Sequence, residues 1–124
     1  MVDYRLELVI IPVTDVDRAV AFYGETLGWP VDFNSVLSPE LHFVQVTPPG
    51  SACSIAFGTG LTDMEPGSQR GIQIVIPNAD DAYEHLRSRG VDATPVDEQA
   101  WGRFVTFSDP DGNVWALQEL PPRD

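Results

Sequence analysis

Aliphatic runs alternate with short polar, turn-forming stretches along this chain, and the alternation starts afresh halfway through it. Leu6-Glu7-Leu8-Val9-Ile10-Ile11-Pro12-Val13 has the branched, apolar content of a buried strand. Thr14-Asp15 then offers a helix N-cap, with Asp15 and Asp17 complementing the dipole of the first turn. Ala19, Phe22, Tyr23 and Leu27 recur at helical spacing, and Gly28 sits where such a helix would stop. Short strands are predicted near Val31–Ser35, Leu41–Thr47 and Ala52–Gly58, with Ser38-Pro39 and Pro48-Pro49-Gly50 as turns between them. The second half repeats the plan: a strand over Gly71–Ile76, Asn78 as cap for a helix over Ala79–Arg89, and strands near Val91–Val96, Arg103–Ser108 and Val114–Leu120. Asp109-Pro110-Asp111-Gly112-Asn113 makes the tight turn before the last strand.

The two halves superpose in sequence. Leu8 matches Gly71, Asp15 matches Asn78 and Ala19 matches Ala82 at an offset of 63, which slips to 62 by the closing strands, where Ser54 matches Ala116. A repeat of this size marks two copies of one supersecondary unit, each too thin to bury its own sheet face. The expected organisation is a single domain over residues 1–124, with modules at about 1–60 and 70–124 joined through Gly60–Arg70.

Composition narrows the functional classes. The 124 residues are 43% hydrophobic and 21% charged, in the range of an ordinary globular domain. No apolar run approaches the roughly 20 residues that span a bilayer, and the N-terminal Met1-Val2-Asp3-Tyr4-Arg5 lacks a basic stretch. One cysteine, Cys53, allows no intrachain disulfide and suits a reducing compartment, so a cytoplasmic location is expected. Acidic residues outnumber basic ones 19 to 7, for a formal charge of −12. That surface repels phosphate backbones and anionic lipid, so neither nucleic acid nor a membrane is an expected partner. It favours a cationic ligand, although acidity also serves solubility.

The segments PVTDVDRAVAFYGETLGW, NADDAYEHLRSRGV and SDPDGNVWALQEL, in this order and within a repeat, resemble the vicinal oxygen chelate superfamily, which includes glyoxalase I, extradiol dioxygenases, fosfomycin resistance enzymes and bleomycin-binding proteins. The resemblance implies an α+β fold of two βαβββ modules forming a cupped, mostly antiparallel sheet with helices outside and a ligand inside the cup. It also implies a homodimer, with halves exchanged between chains in some members. Metalloenzymes of this superfamily hold their ion on four inward positions, which map by motif to Leu8, Ser54, Gly71 and Ala116. Divalent ions need imidazole or carboxylate donors there. Leucine, glycine and alanine have none and serine is a poor ligand, so neither a metal nor any other cofactor is expected. A one-residue slip does not rescue the site, because Glu7 and Glu119 would then face the helices. His42 and His85 lie outside these positions.

Strand alternation fixes which residues share the inward face. These are Leu6, Leu8 and Ile10; Ala52, Ser54 and Ala56; Gly71, Gln73 and Val75; and Val114, Ala116 and Gln118. The set is apolar and small with a few directional polar groups, as in a binding pocket. Gln73, Gln118 and Ser54 are expected to orient a ligand against Leu8, Ile10, Val114 and Ala116, unless the two amides bond one another. Trp101 either stacks on a ligand at the mouth of the cup or packs a hairpin, and Arg103 either pairs with a ligand carboxylate or with an internal acid. Trp115 should be core, Trp29 a structural plug and Cys53 an inert thiol.

No catalytic constellation emerges. The expectation is a metal-free protein that binds a small organic molecule, such as an antibiotic or secondary metabolite. The alternatives are an enzyme of the same superfamily and a ligand-sensing accessory domain. The enzyme would be a metal-dependent lyase or dioxygenase with a displaced site, or a metal-free isomerase or cyclase. His42, Tyr23 and Glu119 are its acid–base candidates, all poorly placed by strand parity.

Overall fold

Caps, turns and aliphatic runs resolve into ten elements in a computed structural model that describes residues 1–122. Strand β1 (Leu8–Ile10) leads into helix α1 (Val16–Val20), capped by the Asp15 carboxylate accepting from the Arg18 amide at 3.0 Å. The helix continues as a π-helical turn over Ala21–Thr26, in which Leu27 N donates to Phe22 O at 2.9 Å. Strands β2 (Val31–Ser38), β3 (Leu41–Val46) and β4 (Ser54–Thr59) complete the first module. The second module has β5 (Ile72–Val75), α2 (Ala79–Ser88), β6 (Asp97–Gln99), β7 (Gly102–Ser108) and β8 (Val114–Glu119). Asn78 caps α2 by accepting from Asp81 N at 2.9 Å, and Gly90 leaves the helix at a φ of 79°. Among the described residues no helix is long and apolar enough to cross a membrane.

Each module is a four-stranded sheet, ordered β1-β4-β3-β2 in one and β5-β8-β7-β6 in the other. The first and last strands of each module pair in parallel, and the other neighbours pair antiparallel. The two-module organisation expected from the repeat, and the α+β fold that the resemblance implies, are therefore the observed ones.

Two local expectations fail for physical reasons. No strand forms over Val91–Val96; the sixth strand is Asp97–Gln99. Val91 and Ala93 are buried in the core, and the hydrogen bonds between this segment and β7 come from Thr94, whose amide donates to Thr106 O and whose hydroxyl accepts from Thr106 N. Pro95 then removes the next amide donor. The fifth strand begins at Ile72 rather than Gly71, and within it Gln73 is the residue paired with Ala116.

The helix-side faces of both sheets share one apolar core containing Ile11, Tyr23, Val44, Val46, Phe57, Leu86, Val105, Phe107, Trp115 and Leu117. Aromatic packing links the modules within it. Trp29 meets Trp115 edge-on at 5.3 Å, and Tyr23 meets Trp115 at 5.9 Å, contacts worth about 0.5–1.5 kcal/mol each beyond burial. Trp115 and Trp29 are thus the core residue and plug that their positions predicted.

A buried polar knot reinforces this junction. Tyr23 OH donates to Asp109 Oδ2 at 2.6 Å and accepts from Trp115 Nε1 at 3.0 Å. Asn113 Nδ2 bridges Asp109 Oδ2 and the Pro12 carbonyl, while the amides of Asp111 and Asn113 donate to Asp109 Oδ1. The Asp-Pro-Asp-Gly-Asn turn therefore does more than reverse the chain: it ties module two to the end of β1. Thr14 and Arg18 both donate to Asp111, and the Arg89 guanidinium donates to the carbonyls of Glu25 and Thr26. These bonds hold the two modules in one orientation through their helix sides.

Candidate functional site on the inner sheet faces

The faces turned away from the helices can be read row by row from the strand register. In the first module, Leu8 lies beside Ser54, and Ile10 beside Ala56, Gln45 and Phe33. In the second, Gln73 lies beside Ala116 and Thr106, and Val75 beside Gln118, Phe104 and Asp97. The alternate rows, including Val9–Ile55–Val46 and Ile72–Trp115–Phe107, supply the core.

This pairing corrects one of the four mapped positions. Leu8 faces Ser54, whereas the residue facing Ala116 is Gln73, not Gly71, which lies outside β5. A slip of two residues preserves the face, so the inward stations by register are Leu8, Ser54, Gln73 and Ala116. Gln73 adds one neutral carbonyl oxygen that the glycine lacks, but with only the Ser54 hydroxyl beside it and no imidazole or carboxylate the set stays too weak to hold a divalent ion. The donor set of the superfamily's metalloenzymes does not fit these side chains. Among the described residues no three His, Cys, Asp or Glu side chains are grouped to hold an ion.

Leu8, Ile10, Ser54, Gln73, Val114, Ala116 and Gln118 all lie on the inner faces. Leu6 precedes β1 and is exposed. The two amides bond one another: Gln73 Nε2 donates to Gln118 Oε1 at 2.7 Å, and Gln118 Nε2 donates to the Trp101 carbonyl at 2.8 Å. Gln118 is thereby fixed, while Gln73 is exposed and keeps its carbonyl oxygen and one N–H for another partner. Gln73 and Val75 line a cavity of about 270 Å³ with the Pro48–Ser51 turn. Trp101 occupies the β6–β7 hairpin tip with 62% of its surface exposed, and its backbone carbonyl is what fixes Gln118.

Arg103 departs from the expected site. It pairs with Glu119 and Glu98 on the helix side of β7, and its guanidinium bonds Asp80 of α2 at 3.0 and 3.2 Å, Glu98 at 2.9 Å and Glu119 at 3.3 Å. Glu119 also accepts from the Ala79 amide at the start of α2. Arg103 is thus a clamp between sheet and helix, its charge consumed by internal acids. The acid–base candidates lie off the inner face as well. Tyr23 is locked in the core, Glu119 in the clamp, and His42 shares the Val36–Thr59 row and contacts Asn34 at 2.7 Å.

The middle strands add inner-face residues that the sequence analysis did not name, among them Phe33, Gln45, Phe104, Thr106 and Asp97, and two more, Thr47 and Asp32, join Ser54 in a hydrogen-bonded group. Thr47 Oγ1 lies 2.6 Å from Ser54 Oγ and donates to the Asp32 carboxylate. Thr47 continues the parity of Phe43 and Gln45 and was legible in principle. Asp32 was not, because it sits at a register shift between Val31 and Phe33 that breaks simple alternation.

The inner faces are open in the single chain. Phe33 is 58% exposed and Val75 59%, although both lie in rows with buried Ala56 or Gln118. A concavity of about 300 Å³ lined by Trp29, Ile74, His85 and Phe107 lies between the modules, outside the four inward stations.

Comparison with known proteins places this arrangement among relatives. The Glyoxalase/Bleomycin resistance protein/Dioxygenase superfamily model matches residues 5–117. YetH of Bacillus subtilis (strain 168), an uncharacterized protein, is 29% identical over 119 residues, covering 93% of this chain and 98% of YetH. The crystal structure of TnmS3, an antibiotic binding protein from Streptomyces sp. CB03234, is similar with a TM-score of 0.88 and 32% identity, over 98% of this chain and 99% of that one. A superfamily member from Sphaerobacter thermophilus DSM 20745 is similar with a TM-score of 0.84 and 35% identity, over 94% and 98% of the respective chains.

Proposed function

This chain belongs to the glyoxalase/bleomycin resistance protein/dioxygenase superfamily, and from that premise we propose that it is a metal-free binding protein for a small organic molecule of the antibiotic or secondary-metabolite type. The observation that carries the reading is the chemistry of the inward stations. Leu8 and Ala116 are apolar, and Ser54 and Gln73 offer neutral hydrogen-bonding groups. Around them Ile10, Ala56, Phe33, Val75 and Phe104 supply apolar surface, the usual composition of a ligand site. The similarity to an antibiotic binding protein over nearly the whole chain supports the same reading.

The working form is a homodimer in the cytoplasm. The exposed apolar side chains of Phe33 and Val75 on the inner faces call for a cover, and a second copy supplies one of matching apolar character. The net charge of −12 draws cationic ligands toward these faces and keeps nucleic acid and anionic membrane away.

A thermal-shift screen of antibiotics and secondary metabolites tests this directly. A compound held at 100 times its Kd should stabilise the protein by about 2.7 kcal/mol. Native mass spectrometry of the hits should then show two chains with compound bound. Gln73→Ala should weaken that binding several-fold while costing the free protein no more than about 1 kcal/mol, because the exposed side chain contributes one hydrogen bond to Gln118 and little packing. Failure to stabilise across a broad library, or hits whose affinity ignores the inner-face residues, would contradict the proposal.

A further inference from the structure

One carboxylate of the inner surface is held in a fixed direction. The bulge in β2 between Val31 and Phe33 lets Asp32 reach across to Thr47, whose hydroxyl donates to Asp32 Oδ2. A threonine hydroxyl has a single proton, and here it is committed to the carboxylate. The 2.6 Å contact between Thr47 Oγ1 and Ser54 Oγ must therefore carry the Ser54 proton. With both protons used inside the chain of bonds, Ser54, Thr47 and Asp32 have only lone pairs left for any further partner.

Nothing cationic within the described residues neutralises this group. The sequence contains no lysine. Arg5, Arg18, Arg87 and Arg103 are paired with Asp3, Asp111, Asp92 and the Asp80–Glu98–Glu119 cluster, Arg89 is bonded to backbone carbonyls, Arg70 lies in the linker before β5, and among the described residues no ion pair involves Asp32. Asp32 is exposed and is followed in β2 by Phe33, itself 58% exposed. The result is an oriented, unneutralised carboxylate beside open apolar surface.

We infer that Asp32, positioned by Thr47 and Ser54, selects ligands that carry a protonated amine on an apolar body. The inference rests on the binding role proposed above and names the ligand class for that site. An ammonium group brings three donors and a positive charge to an acceptor-only cluster, and charge-assisted hydrogen bonds are roughly twice as strong as neutral ones. An alcohol brings one donor without charge. A quaternary ammonium brings charge without a donor.

Three probes on the same naphthylmethyl body separate these terms: naphthylmethylamine, naphthalenemethanol and the corresponding naphthylmethyl trimethylammonium salt. Each is titrated into isotope-labelled full-length protein while the amide NMR signals of Asp32, Thr47 and Ser54 are followed. The amine should shift these signals at about ten-fold lower concentration than either of the others. Asp32→Asn should erase that preference, and Thr47→Val, which keeps the charge but frees the carboxylate to rotate, should reduce it. Asp97→Asn removes the inner-face carboxylate of the second module and should leave the preference intact. Equal binding of amine and alcohol, a preference that survives Asp32→Asn or is lost in Asp97→Asn, or an amine that leaves the three signals unmoved would each overturn the inference. Compounds that shift other inner-face amides would meanwhile uphold the binding role, whereas a library that moves none would remove both.

Discussion

Replacing Asp109 by alanine is expected to destabilise the fold by about 3–5 kcal/mol, the largest effect of any single side chain outside the apolar core. Asp109 is 5% exposed and accepts hydrogen bonds from the Tyr23 hydroxyl, the side-chain amide of Asn113 and the backbone amides of Asp111 and Asn113. Alanine removes every acceptor at once and strands these donors where water reaches them poorly. Each unsatisfied buried donor costs about 1–3 kcal/mol, and partial relaxation keeps the total below their sum. Because Tyr23 belongs to the first module and Asp109 to the second, the loss should also loosen the junction that orients the inner faces. Tyr23→Phe deletes one of these bonds and should cost only about 1–2 kcal/mol. Urea unfolding of the three proteins checks the ranking; a loss below about 1 kcal/mol for Asp109→Ala would show that the knot is not what joins the modules.

Alkaline pH should weaken the protein through the same tyrosine. Burial, and then the negative charge of Asp109, raise the Tyr23 pKa far above its ordinary value. In the unfolded chain a tyrosine ionises near pH 10. The folded state therefore retains a proton that the unfolded state releases. Its stabilising contribution is complete below about pH 10 and is lost as pH rises from there toward the folded value. The slope from this group approaches about 1.4 kcal/mol per pH unit, so near pH 12 roughly 2.7 kcal/mol should be gone. Tyr23→Phe should remove that component, making the variant's stability less dependent on pH above 10 than the parent's. Parallel pH profiles for the two proteins would contradict the assignment.

Much of the scaffold could be read from residues whose identity is dictated locally. Asp15 and Asn78 cap their helices because a short side-chain oxygen reaches the third amide onward, and both do so here. The strict alternation around Trp115 and Ala116 assigned one to the core and the other to the inner face, as the register confirms. What remained hidden depended on how strands meet. The two-residue displacement that puts Gln73 opposite Ala116 leaves every parity unchanged, so no hydrophobic pattern could register it. For Arg103 the sequence left a ligand carboxylate and an internal acid both open; its face follows from the Glu98–Arg103–Glu119 pairing, which depends on where the turn closes. Asp32 reaches the inner face through a bulge, and an irregular strand obscures the alternation that would have revealed it.

The candidate site is legible to the extent that it depends on missing chemistry. Leu8, Ser54 and Ala116 could be recognised as poor metal ligands from sequence alone, and replacing Gly71 by Gln73 on the map leaves that conclusion standing. The recognition elements proposed above were harder to see, since a hydroxyl becomes an obligate acceptor only when the fate of its proton is known. Thr47 and Ser54 acquire that character from Asp32.

The proposed function requires inward stations that bind organic molecules and do not grip a metal ion. Elemental analysis of protein purified without chelators, from medium supplemented with manganese, iron, nickel and zinc, tests this most directly. The predicted content is far below one equivalent of any of these metals per chain, unchanged by dialysis against a chelator. One equivalent of a single metal, retained through purification and lost when Ser54 or Gln73 is replaced by alanine, would contradict it.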